Sequence, residues 1–253
     1  MAQIKTVAIL SPGDMGSAVG RVLREHGLDV ITCLEGRSQR TRELAGKAGF
    51  RDTPSLEAMV SQADLALSIL TPAEALGVAR RVGQAMRAAG VGKPFADCNA
   101  VSPQRGQAIA EAINGAGGLY IDASIIGGPP GQSGATRFFV CGPDTSAMQA
   151  LDGKGIVVKG MGDGIGRAKA IKMCYAALTK GTTALQTALL TAAELLGVSQ
   201  ELKVELAASQ PEALRRMQSI VHMPSVSRRW VGEMEEIAAT FEAVGVTPSF
   251  HKG

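Results

Sequence analysis

A lysine, a tyrosine and a threonine follow one another at helical spacing in GIGRAKAIKMCYAALTKG, residues 164–181. Lys172, Tyr175 and Thr179 are three and four residues apart, so at about 100° per residue they share one stripe of a helix. Their neighbours are mostly small or apolar. An amine and a phenol in such surroundings can exchange a proton with a reacting alcohol or carbonyl group. The segment therefore predicts an acid–base site on one helix face.

Lys172 is the member of this stripe best suited to proton transfer. A free lysine has a pKa near ~10.4, whereas catalysis near neutral pH needs a lower value. Partial burial lowers the pKa of a lysine, and so does a second cation such as Lys169, one turn away. By residue type and spacing alone, Lys172 is a candidate for the catalytic acid or base, and Tyr175 is a candidate catalytic residue that hydrogen-bonds the substrate or relays a proton. The alternatives are a lysine that extends from a buried helix to solvent and a core tyrosine whose hydroxyl is bonded locally.

Short apolar runs alternate with amphipathic runs over the first part of the chain, to about residue 160. This alternation predicts strands and helices in turn, and hence a mostly parallel sheet with helices on both faces. The predicted strands are TVAIL (6–10), DVITCL (29–34), LALSIL (65–70), PFADCN (94–99), LYIDAS (119–124) and RFFVCG (137–142).

The alternation stops after GIVVKGMGDGIG. Residues 166–196 contain no proline and read as one long helix, and breaks at GVSQE, SQPEA and HMPSV divide the remainder into shorter helices. No segment of this half reads as a strand. The sequence therefore predicts an α/β Rossmann-type domain over residues 1–162, followed by an all-helical domain over residues 163–253 that begins with a long interdomain helix.

Composition excludes several classes of protein. The net charge of the 253 residues is only +3, and no basic block is interleaved with aromatics, so nucleic-acid binding is not expected. No run of ~18 apolar residues is present, so no membrane span is expected, and MAQIKTVAIL lacks a signal-peptide pattern. The four cysteines match no metal-binding spacing. We therefore expect no metal site, and reduced thiols in a cytoplasmic protein.

The first predicted strand leads into SPGDMG, which opens the first predicted helix. This is the dinucleotide fingerprint G-x-G-x-x-G with Ser11 in place of the first glycine. Gly13 would let the backbone approach a pyrophosphate, Gly16 would let helix and strand pack closely, and the helix N-terminus offers unpaired N–H groups. The alternative is a glycine turn in an unrelated α/β domain. The loop predicts cofactor binding by Ser11, Pro12, Gly13, Asp14, Met15 and Gly16.

The second predicted strand ends in CLEGRSQR. An acid at this tip, such as Glu35, would hold the ribose 2′-OH of NAD, whereas arginines and hydroxyl groups would hold the 2′-phosphate of NADP. Because Arg37, Ser38 and Arg40 follow at once, and arginine grips phosphate in a planar, bidentate manner, we predict NADP in preference to NAD. The alternative for these arginines is a solvated surface turn.

In these residues the chain resembles the 6-phosphogluconate dehydrogenase/β-hydroxyacid dehydrogenase superfamily over nearly its whole length. AILSPGDMGSAVG stands at the superfamily's phosphate loop, and GRS at the strand tip whose arginine contacts the NADP 2′-phosphate. SILTPAEA, DCNAVSP, DASIIGGPPGQSG and GIGRAKAIKMCYA resemble the later motifs, in the expected order. The stretch RRWVGEMEEIAATFEAVGVTPSFHKG, together with KMCYAALTKG, resembles a branch with a distinct helical C-terminal domain.

The resemblance implies roles for residues at the ends of the later strands. It places Leu70 and Thr71 under the nicotinamide ribose, and Asn99 against that ribose or the substrate, the alternative for Asn99 being a turn cap. It makes Lys172 the catalytic lysine. It also implies a substrate loop at Ile126, Gly127 and Gly128, in which the two glycine N–H groups face an anionic group of the substrate.

This chain departs from the superfamily pattern at three positions. Ile126 and Ala176 replace a serine and an asparagine that hold substrate in better-known members, and Ser11 replaces the first loop glycine. Thr179, Arg229 and Trp230 are further candidates for substrate contact, although Arg229 could instead pair with Glu233 on the next turn.

The expected function is therefore hydride transfer between NADP and a small hydroxy acid or related alcohol or carbonyl compound. Two alternatives stay open, an imine reductase on the same architecture and a non-catalytic NADP-sensing protein. The low aromatic content and long helix of residues 165–250 predict a homodimer built through the helical half.

Overall fold

The computed structural model describes residues 3–131 and 134–253, and the side chains at positions 219, 222, 225, 226 and 229 lie outside its described part. The chain divides into two compact units, Met1–Lys172 and Met173–Gly253. The first unit holds the sheet, and the second is built of helices. The long helix α7, Arg167–Leu195, contributes its first turns to one unit and its remainder to the other.

The strands of the first unit form one sheet, which has eight strands among the described residues. Its spatial order is β3-β2-β1-β4-β5-β6-β7-β8, and every neighbouring pair described is parallel except β6 with β7. The strands are β1 Thr6–Leu10, β2 Asp29–Thr32, β3 Arg51–Asp52, β4 Leu65–Ser68, β5 Pro94–Asp97, β6 Leu119–Ile126, β7 Arg137–Cys141 and β8 Val157–Gly160.

Helices connect these strands, and three of them begin at a serine cap. Ser38, Ser55 and Ser102 each accept a backbone N–H of the following turn and so start α2, α3 and α5. The helices of this unit before α7 are α1 Asp14–Glu25, α2 Gln39–Lys47, α3 Leu56–Gln62, α4 Ala75–Ala89, α5 Pro103–Asn114 and α6 Ser146–Gln149, with a 3-10 turn at Pro72–Glu74.

Two apolar layers cover the two faces of the sheet, because successive side chains of a strand point to opposite faces. Val7 and Ile9 of β1 pack in one layer with residues of α1 such as Leu23. Ala8 and Leu10 pack in the other layer with residues of α3, α4 and α5. The α/β Rossmann-type fold followed by helices is therefore confirmed, and the parallel order places the carboxyl ends of β1, β4, β5 and β6 along one edge.

The second unit consists of helices joined by turns and short loops, and its described residues contain no strand. After α7 come α8 Ser199–Ser209, α9 Pro211–Met217, a 3-10 turn at Gln218–His222, α10 Pro224–Glu242 and α11 Ser249–Lys252. Proline stands at the first position of α9 and of α10, where its missing N–H costs no helical bond. Over the described residues, no helix is both long and apolar enough to cross a membrane.

Candidate functional site

The loop between β1 and α1 turns through a strained residue. Ser11 has φ +52°, in the left-handed region that side chains with a Cβ rarely occupy. This is the position at which the dinucleotide fingerprint has its first glycine. The serine therefore makes the tight turn by adopting the conformation that glycine would adopt without strain. Non-glycine residues held in this region are concentrated at ligand sites.

The two remaining loop glycines meet different surroundings. A Cβ built on Gly13 would meet no described atom within 4 Å, whereas one on Gly16 would lie 3.3 Å from Cγ2 of Ile9. Packing inside the protein therefore favours glycine at position 16, where a Cβ would be tightly packed, and makes no such demand at position 13. Gly13 is the N-cap of α1, so its bare backbone borders the unpaired N–H groups of the helix N-terminus. These residues fit a dinucleotide pyrophosphate in the way the fingerprint demands.

Four of the predicted cofactor residues in this region, Pro12, Asp14, Met15 and Arg40, are engaged with the protein itself. Asp14, in the first turn of α1, forms an ion pair of 2.5 Å with Arg40, and both side chains are more than half exposed. Pro12 is buried, and Met15 packs against the apolar layer that contains Ile9. Arg40 thus reaches from α2 to the N-terminus of α1 and supplies a positive charge beside the loop.

The tip of β2 forms a small, basic cavity of about 240 Å³. The half-buried side chain of Arg37 lines it, and Ser38 next to it uses its hydroxyl to accept the Thr41 N–H and cap α2. Burial lowers the pKa of Arg37, and the positive charge of Arg81 on α4 lowers it further. The cavity is lined by Cys33, Glu35, Gly36, Arg37, Leu56 and Arg81.

Asn99 joins the ends of β4 and β5. Its Oδ1 accepts the Leu70 N–H at 2.5 Å, and its Nδ2 donates to the Ser68 hydroxyl at 2.9 Å and to the Asp97 carboxylate. The side chain is buried, and both of its amide hydrogens are given to the protein's own groups. The residue therefore fixes the backbone at Leu70, while Thr71 beyond it is exposed at the start of the 3-10 turn.

Lys169 is completely buried at the ends of β5 and β6. Its Nζ donates to the carbonyl oxygens of Asp97 at 2.6 Å, Asn99 at 3.2 Å and Ala123 at 2.6 Å. It also lies 3.0 Å from Oδ2 of Asp97 and 3.6 Å from Oδ1 of Asp122. Burial would lower the pKa of this amine, but the two carboxylates outweigh burial and hold the pKa above its ordinary value. Lys169 is thus a structural cation paired with two buried carboxylates, rather than a bare charge acting on Lys172.

Asp122 fastens the start of α7 to the sheet. Its Oδ2 accepts the backbone N–H of Gly166 at 2.6 Å and the thiol of Cys141 at 3.1 Å. The Cys141 sulfur in turn accepts the Ala168 N–H at 3.3 Å. These contacts satisfy N–H groups that the first turn of a helix leaves unpaired, and they fix the position of the turn that carries the next lysine.

Lys172 lies at the carboxyl end of β6. Its Nζ donates to the carbonyl oxygen of Ile125 at 2.9 Å, and its side chain is half-buried. β5 pairs with β6 only as far as Asp97 with Asp122, so residues 123–126 extend past the end of β5. The predicted catalytic amine therefore stands on the strand extension that leads directly into Gly127 and Gly128.

The predicted substrate loop begins at a buried strand residue and continues into exposed backbone. Ile126 is the buried last residue of β6, whereas Gly127 and Gly128 are exposed. Gly127 has φ +116°, and a Cβ there would lie 2.6 Å from the carbonyl oxygen of Ala135. Only glycine fits at this position, and it turns the backbone away from the sheet just beyond the lysine.

The remaining stripe residues lie in the second unit. Tyr175 is 45% exposed. The Thr179 hydroxyl donates to the backbone carbonyls of Tyr175 and Ala176, at 3.2 Å each. Threonines 183, 187 and 191 repeat this bond to the fourth residue before them. The hydroxyl groups of these four threonines thus donate to backbone carbonyls of α7, and their oxygen lone pairs can still accept hydrogen bonds.

Trp230 belongs to a small charged cluster of the second unit. Lys180 forms a 2.7 Å ion pair with Glu233 and lies 5.6 Å from the centre of the Trp230 ring. The side chain of Arg229 lies outside the described residues. Glu233, proposed from the sequence as the partner of Arg229, has Lys180 as a partner.

A larger cavity of about 670 Å³ lies at the opposite edge of the sheet. Its lining includes Ile4, Asp64, Lys93 and Pro94, which stand just before or at the amino ends of strands. Ligands of open α/β sheets bind at the carboxyl edge. We therefore take the carboxyl edge, with the loop at Gly13 and the amine of Lys172, as the candidate site.

Sequence reasoning missed three residues of this edge: Arg81, and the Lys169 partners Asp97 and Asp122. Arg81 and the partners of Lys169 come from elements far along the chain, and no spacing connects them with Arg37 or Lys172. The ArgArg pair at positions 80–81 in a mostly apolar helix was the available signal for Arg81.

Two known protein families match separate parts of the chain. Residues 6–162 match the profile of the NAD binding domain of 6-phosphogluconate dehydrogenase. Residues 193–253 match the profile of a domain of unknown function, DUF1932.

Solved structures share the fold over nearly the whole chain. Conserved protein MTH1747, whose structure was described as similar to 3-hydroxyacid dehydrogenases, is 28% identical with a TM-score of 0.74, over 98% of this chain and 94% of that one. Mycobacterium tuberculosis 3-hydroxyisobutyrate dehydrogenase is 19% identical, with a TM-score of 0.75 over 98% and 90%. An imine reductase from Streptomyces aurantiacus is 17% identical, with a TM-score of 0.67 over 98% and 91%. At these identities the last two show a shared fold alone.

Proposed function

The chain belongs to the family of NAD-binding domains of 6-phosphogluconate dehydrogenase and is an NAD(P)-dependent dehydrogenase or reductase, and on this premise we propose its substrate class, cofactor and acid–base residue. The substrate is a small hydroxy acid or related alcohol, or the matching carbonyl compound. The cofactor is NADP. The general acid or base is Lys172.

The position of Lys172 is the observation that carries this proposal. Its amine is half-buried, bonded to Ile125 at 2.9 Å, and stands at the carboxyl edge where ligands of such sheets bind. Three strand spacings separate β6 from the phosphate loop at β1, about 14 Å at ~4.8 Å each. An extended dinucleotide whose pyrophosphate lies at Gly13 is long enough to follow the edge to this amine.

The chemistry divides between the cofactor and the chain. When bound, the nicotinamide takes or gives the hydride. In alcohol oxidation Lys172, as the neutral amine, accepts the hydroxyl proton as the C–H bond breaks, and in carbonyl reduction Lys172, as the ammonium, donates that proton to the oxygen. The Ile125 carbonyl holds the amine in place in both directions, and Tyr175 is the proposed second proton carrier.

An anionic group on the substrate is the proposed anchor. The exposed backbone of Gly127 and Gly128 follows directly after the strand that bears the Lys172 contact. Backbone N–H groups and a nearby ammonium favour a carboxylate. Thr179, Arg229 and Trp230 are proposed as further substrate contacts from the second unit.

Imine reduction is the second candidate, and two side chains favour it. Ile126 and Ala176 are apolar where the resemblance implies serine and asparagine, so groups that would hold a hydroxy acid are replaced by apolar ones. The imine reductase from Streptomyces aurantiacus shares the fold. Lys172 counts against this candidate and against a non-catalytic NADP sensor, because neither of them needs a lysine here.

A homodimer through the second unit and a cytoplasmic location complete the proposal. Leu178, Leu185 and Phe250 are each more than two-thirds exposed and line one cavity of about 440 Å³. A second copy would bury these side chains. The four cysteines are free thiols, as expected of a protein in a reducing compartment.

A substrate panel followed by the absorbance of the reduced cofactor tests the proposal. The panel contains small 2- and 3-hydroxy acids, the matching alcohols without a carboxylate, keto acids and cyclic imines, each with NADP(H) and NAD(H). We expect turnover of a hydroxy acid or keto acid with the phosphorylated cofactor. Turnover of imines alone would select the second candidate, and binding of NADP without any turnover would select the sensor.

A further inference from the structure

We propose that Arg81 and Arg37 together form a site for a phosphomonoester dianion attached to the adenosine ribose. Arg81 would thereby act as a second residue that selects NADP over NAD. This inference rests on the proposed function, because it identifies the part of the cofactor that the cavity at the tip of β2 binds.

The cavity brings the two arginines together from separate elements. Arg37 follows β2, Arg81 lies in the second turn of α4, and both line the same space of about 240 Å³. Leu56, at the start of α3, forms an apolar part of the lining. A space of this size at the tip of β2 suits a phosphate group at the 2′ position of the adenosine ribose, the part of the cofactor that such tips bind.

Arg37 is held in this cavity without a protein partner for part of its guanidinium. Its Nε is buried and has no hydrogen-bond partner among the described residues. A buried unpaired N–H donor is unfavourable, and a phosphate oxygen is a strong acceptor for it. The positive charge of Arg81 lowers the pKa of Arg37 through like-charge repulsion, in addition to the larger effect of burial. A dianion between the two guanidinium groups would remove that repulsion.

Two other groups bear on the charge of the cavity. Glu35 lines it as well, and Glu74 stabilises the cationic form of Arg37. A single lining carboxylate opposed by two lining guanidinium groups leaves the cavity positive. An unphosphorylated ribose would need only Glu35, as an acceptor for its 2′-OH, and would leave the two arginines without a ligand.

Arg80 provides a matched control for Arg81. The two arginines are consecutive on α4 and both are exposed, but Arg80 is not part of the cavity lining. Consecutive residues of a helix point about 100° apart. Replacing either one removes the same charge and the same side-chain length from the same helix, so only a local contact with phosphate distinguishes them.

The experiment measures equilibrium binding of four probes: NADP, NAD, adenosine 2′-monophosphate and inorganic phosphate. Wild type, Arg81→Ala, Arg81→Lys and Arg80→Ala are compared, with thermal melts to show that each variant is folded. For Arg81→Ala we expect the Kd of NADP and of adenosine 2′-monophosphate to rise roughly 10- to 100-fold, while the Kd of NAD changes less than about twofold. Arg81→Lys should recover part of the affinity, and Arg80→Ala should bind as wild type.

Three results would overturn the inference. They are unchanged NADP binding by Arg81→Ala, an equal loss for NADP and NAD, and inorganic phosphate binding to wild type as tightly as adenosine 2′-monophosphate, which would indicate a general anion site. Failure of the proposed function has a different signature, because wild type would then turn over no substrate of the panel while the Arg81-dependent preference for NADP over NAD persists.

Discussion

The side-chain nitrogen of Lys172 lies 2.9 Å from the carbonyl oxygen of Ile125, on a part of β6 that extends past the end of β5. One helical turn earlier, Lys169 donates to Ala123 on the same extension. Successive turns of α7 thus hold alternate carbonyls of one strand. The buried lysine, paired with Asp97 and Asp122, anchors the helix, and the half-buried lysine is placed by that anchor at the edge where a substrate would bind.

Removing the buried amine should destabilise the first unit strongly. Lys169→Met keeps a side chain of similar length but leaves Asp97 and Asp122 buried without their cation, which costs about 3–5 kcal/mol in comparable pairs. Urea denaturation of the variant measures this loss. The double variant Lys169→Met/Asp97→Asn should lose less than the sum of the two single variants. Strictly additive losses would show that the 3.0 Å ion pair does not couple the two residues.

The free energy of unfolding should fall as pH rises above about 8.5. Burial, together with the Asp122 carboxylate, raises the pKa of Cys141 to about 12, and burial raises the pKa of Cys98 as well. Unfolded thiols ionise near ~8.5, so above that pH the unfolded chain releases protons that the folded chain retains. Stability from these thiols is therefore complete below the unfolded pKa and is lost as pH rises toward the folded one, by at most about 1.4 kcal/mol per pH unit for each.

Denaturation at several pH values between neutral and pH ~10 measures this slope. Cys98→Ala should make the slope shallower, because one buried thiol no longer ionises on unfolding. Cys174→Ala is the control, because that thiol is exposed in the folded protein. A slope that is unchanged in Cys98→Ala, or that changes as much in Cys174→Ala, would contradict the assignment to buried thiols.

Gly13→Ala should impair cofactor binding with little effect on stability. A Cβ at this position meets no described atom within 4 Å, and φ is −87°, so the free energy of unfolding should change by no more than about 1 kcal/mol. The methyl group would instead occupy the place where the backbone meets the pyrophosphate. We expect the Kd of the dinucleotide to rise tenfold or more in a direct titration.

Gly20→Ala is the matched control on the same helix. Its Cβ would lie 2.1 Å from Cζ of Phe50, so it should destabilise the protein by roughly 1–3 kcal/mol through overpacking. Its binding, measured well below the melting temperature, should resemble wild type. Normal cofactor binding by Gly13→Ala would remove the phosphate role of the loop.

The sequence was sufficient to predict the fold class, because apolar runs mark the buried strands. β3 was missed because it consists of two exposed residues, Arg51 and Asp52, and has no apolar run. β8, at Val157–Gly160, was missed because only its first two residues are apolar. The predicted second strand ended two residues late, since the pairing of β2 stops at Thr32 with Asp52.

The site was predictable only where its residues are close in sequence. The loop at Gly13 carries its own signature, and the resemblance identified Lys172. Lys169 was expected to act as a bare cation. Its carboxylate partners, Asp97 and Asp122, precede it by 72 and 47 residues, and no sequence spacing predicts such distant pairs. Asn99 was assigned to cofactor binding from its place at a strand end, whereas its bonds to Ser68 and Leu70 depend on the neighbouring strand.

Exposed apolar residues of the second unit lead to a prediction of oligomeric state. Light scattering at micromolar concentration should give about twice the chain mass of 26.1 kDa. Leu185→Glu places a charge on a leucine that is 69% exposed, and it should shift the protein toward the monomer if a second copy covers this face. Arg80→Glu, on the first unit, is the control and should not change the mass. A wild-type monomer at these concentrations would rule out the dimer.

Replacing Lys172 tests the acid–base assignment directly. Lys172→Met should lower kcat by roughly 10²–10⁴-fold, the usual contribution of positioned proton transfer. NADP affinity should stay within a few-fold of wild type, because the phosphates are proposed to bind at residues 11–16 and at the tip of β2. Lys203→Met, at an exposed lysine of α8, is a better control than Lys180, whose contacts with Glu233 and Trp230 involve a candidate substrate residue. Near wild-type turnover by Lys172→Met would show that the contact of Lys172 with Ile125 is purely structural. Tyr175 would then be the better candidate for proton transfer, and imine reduction would be favoured over hydroxy acid oxidation.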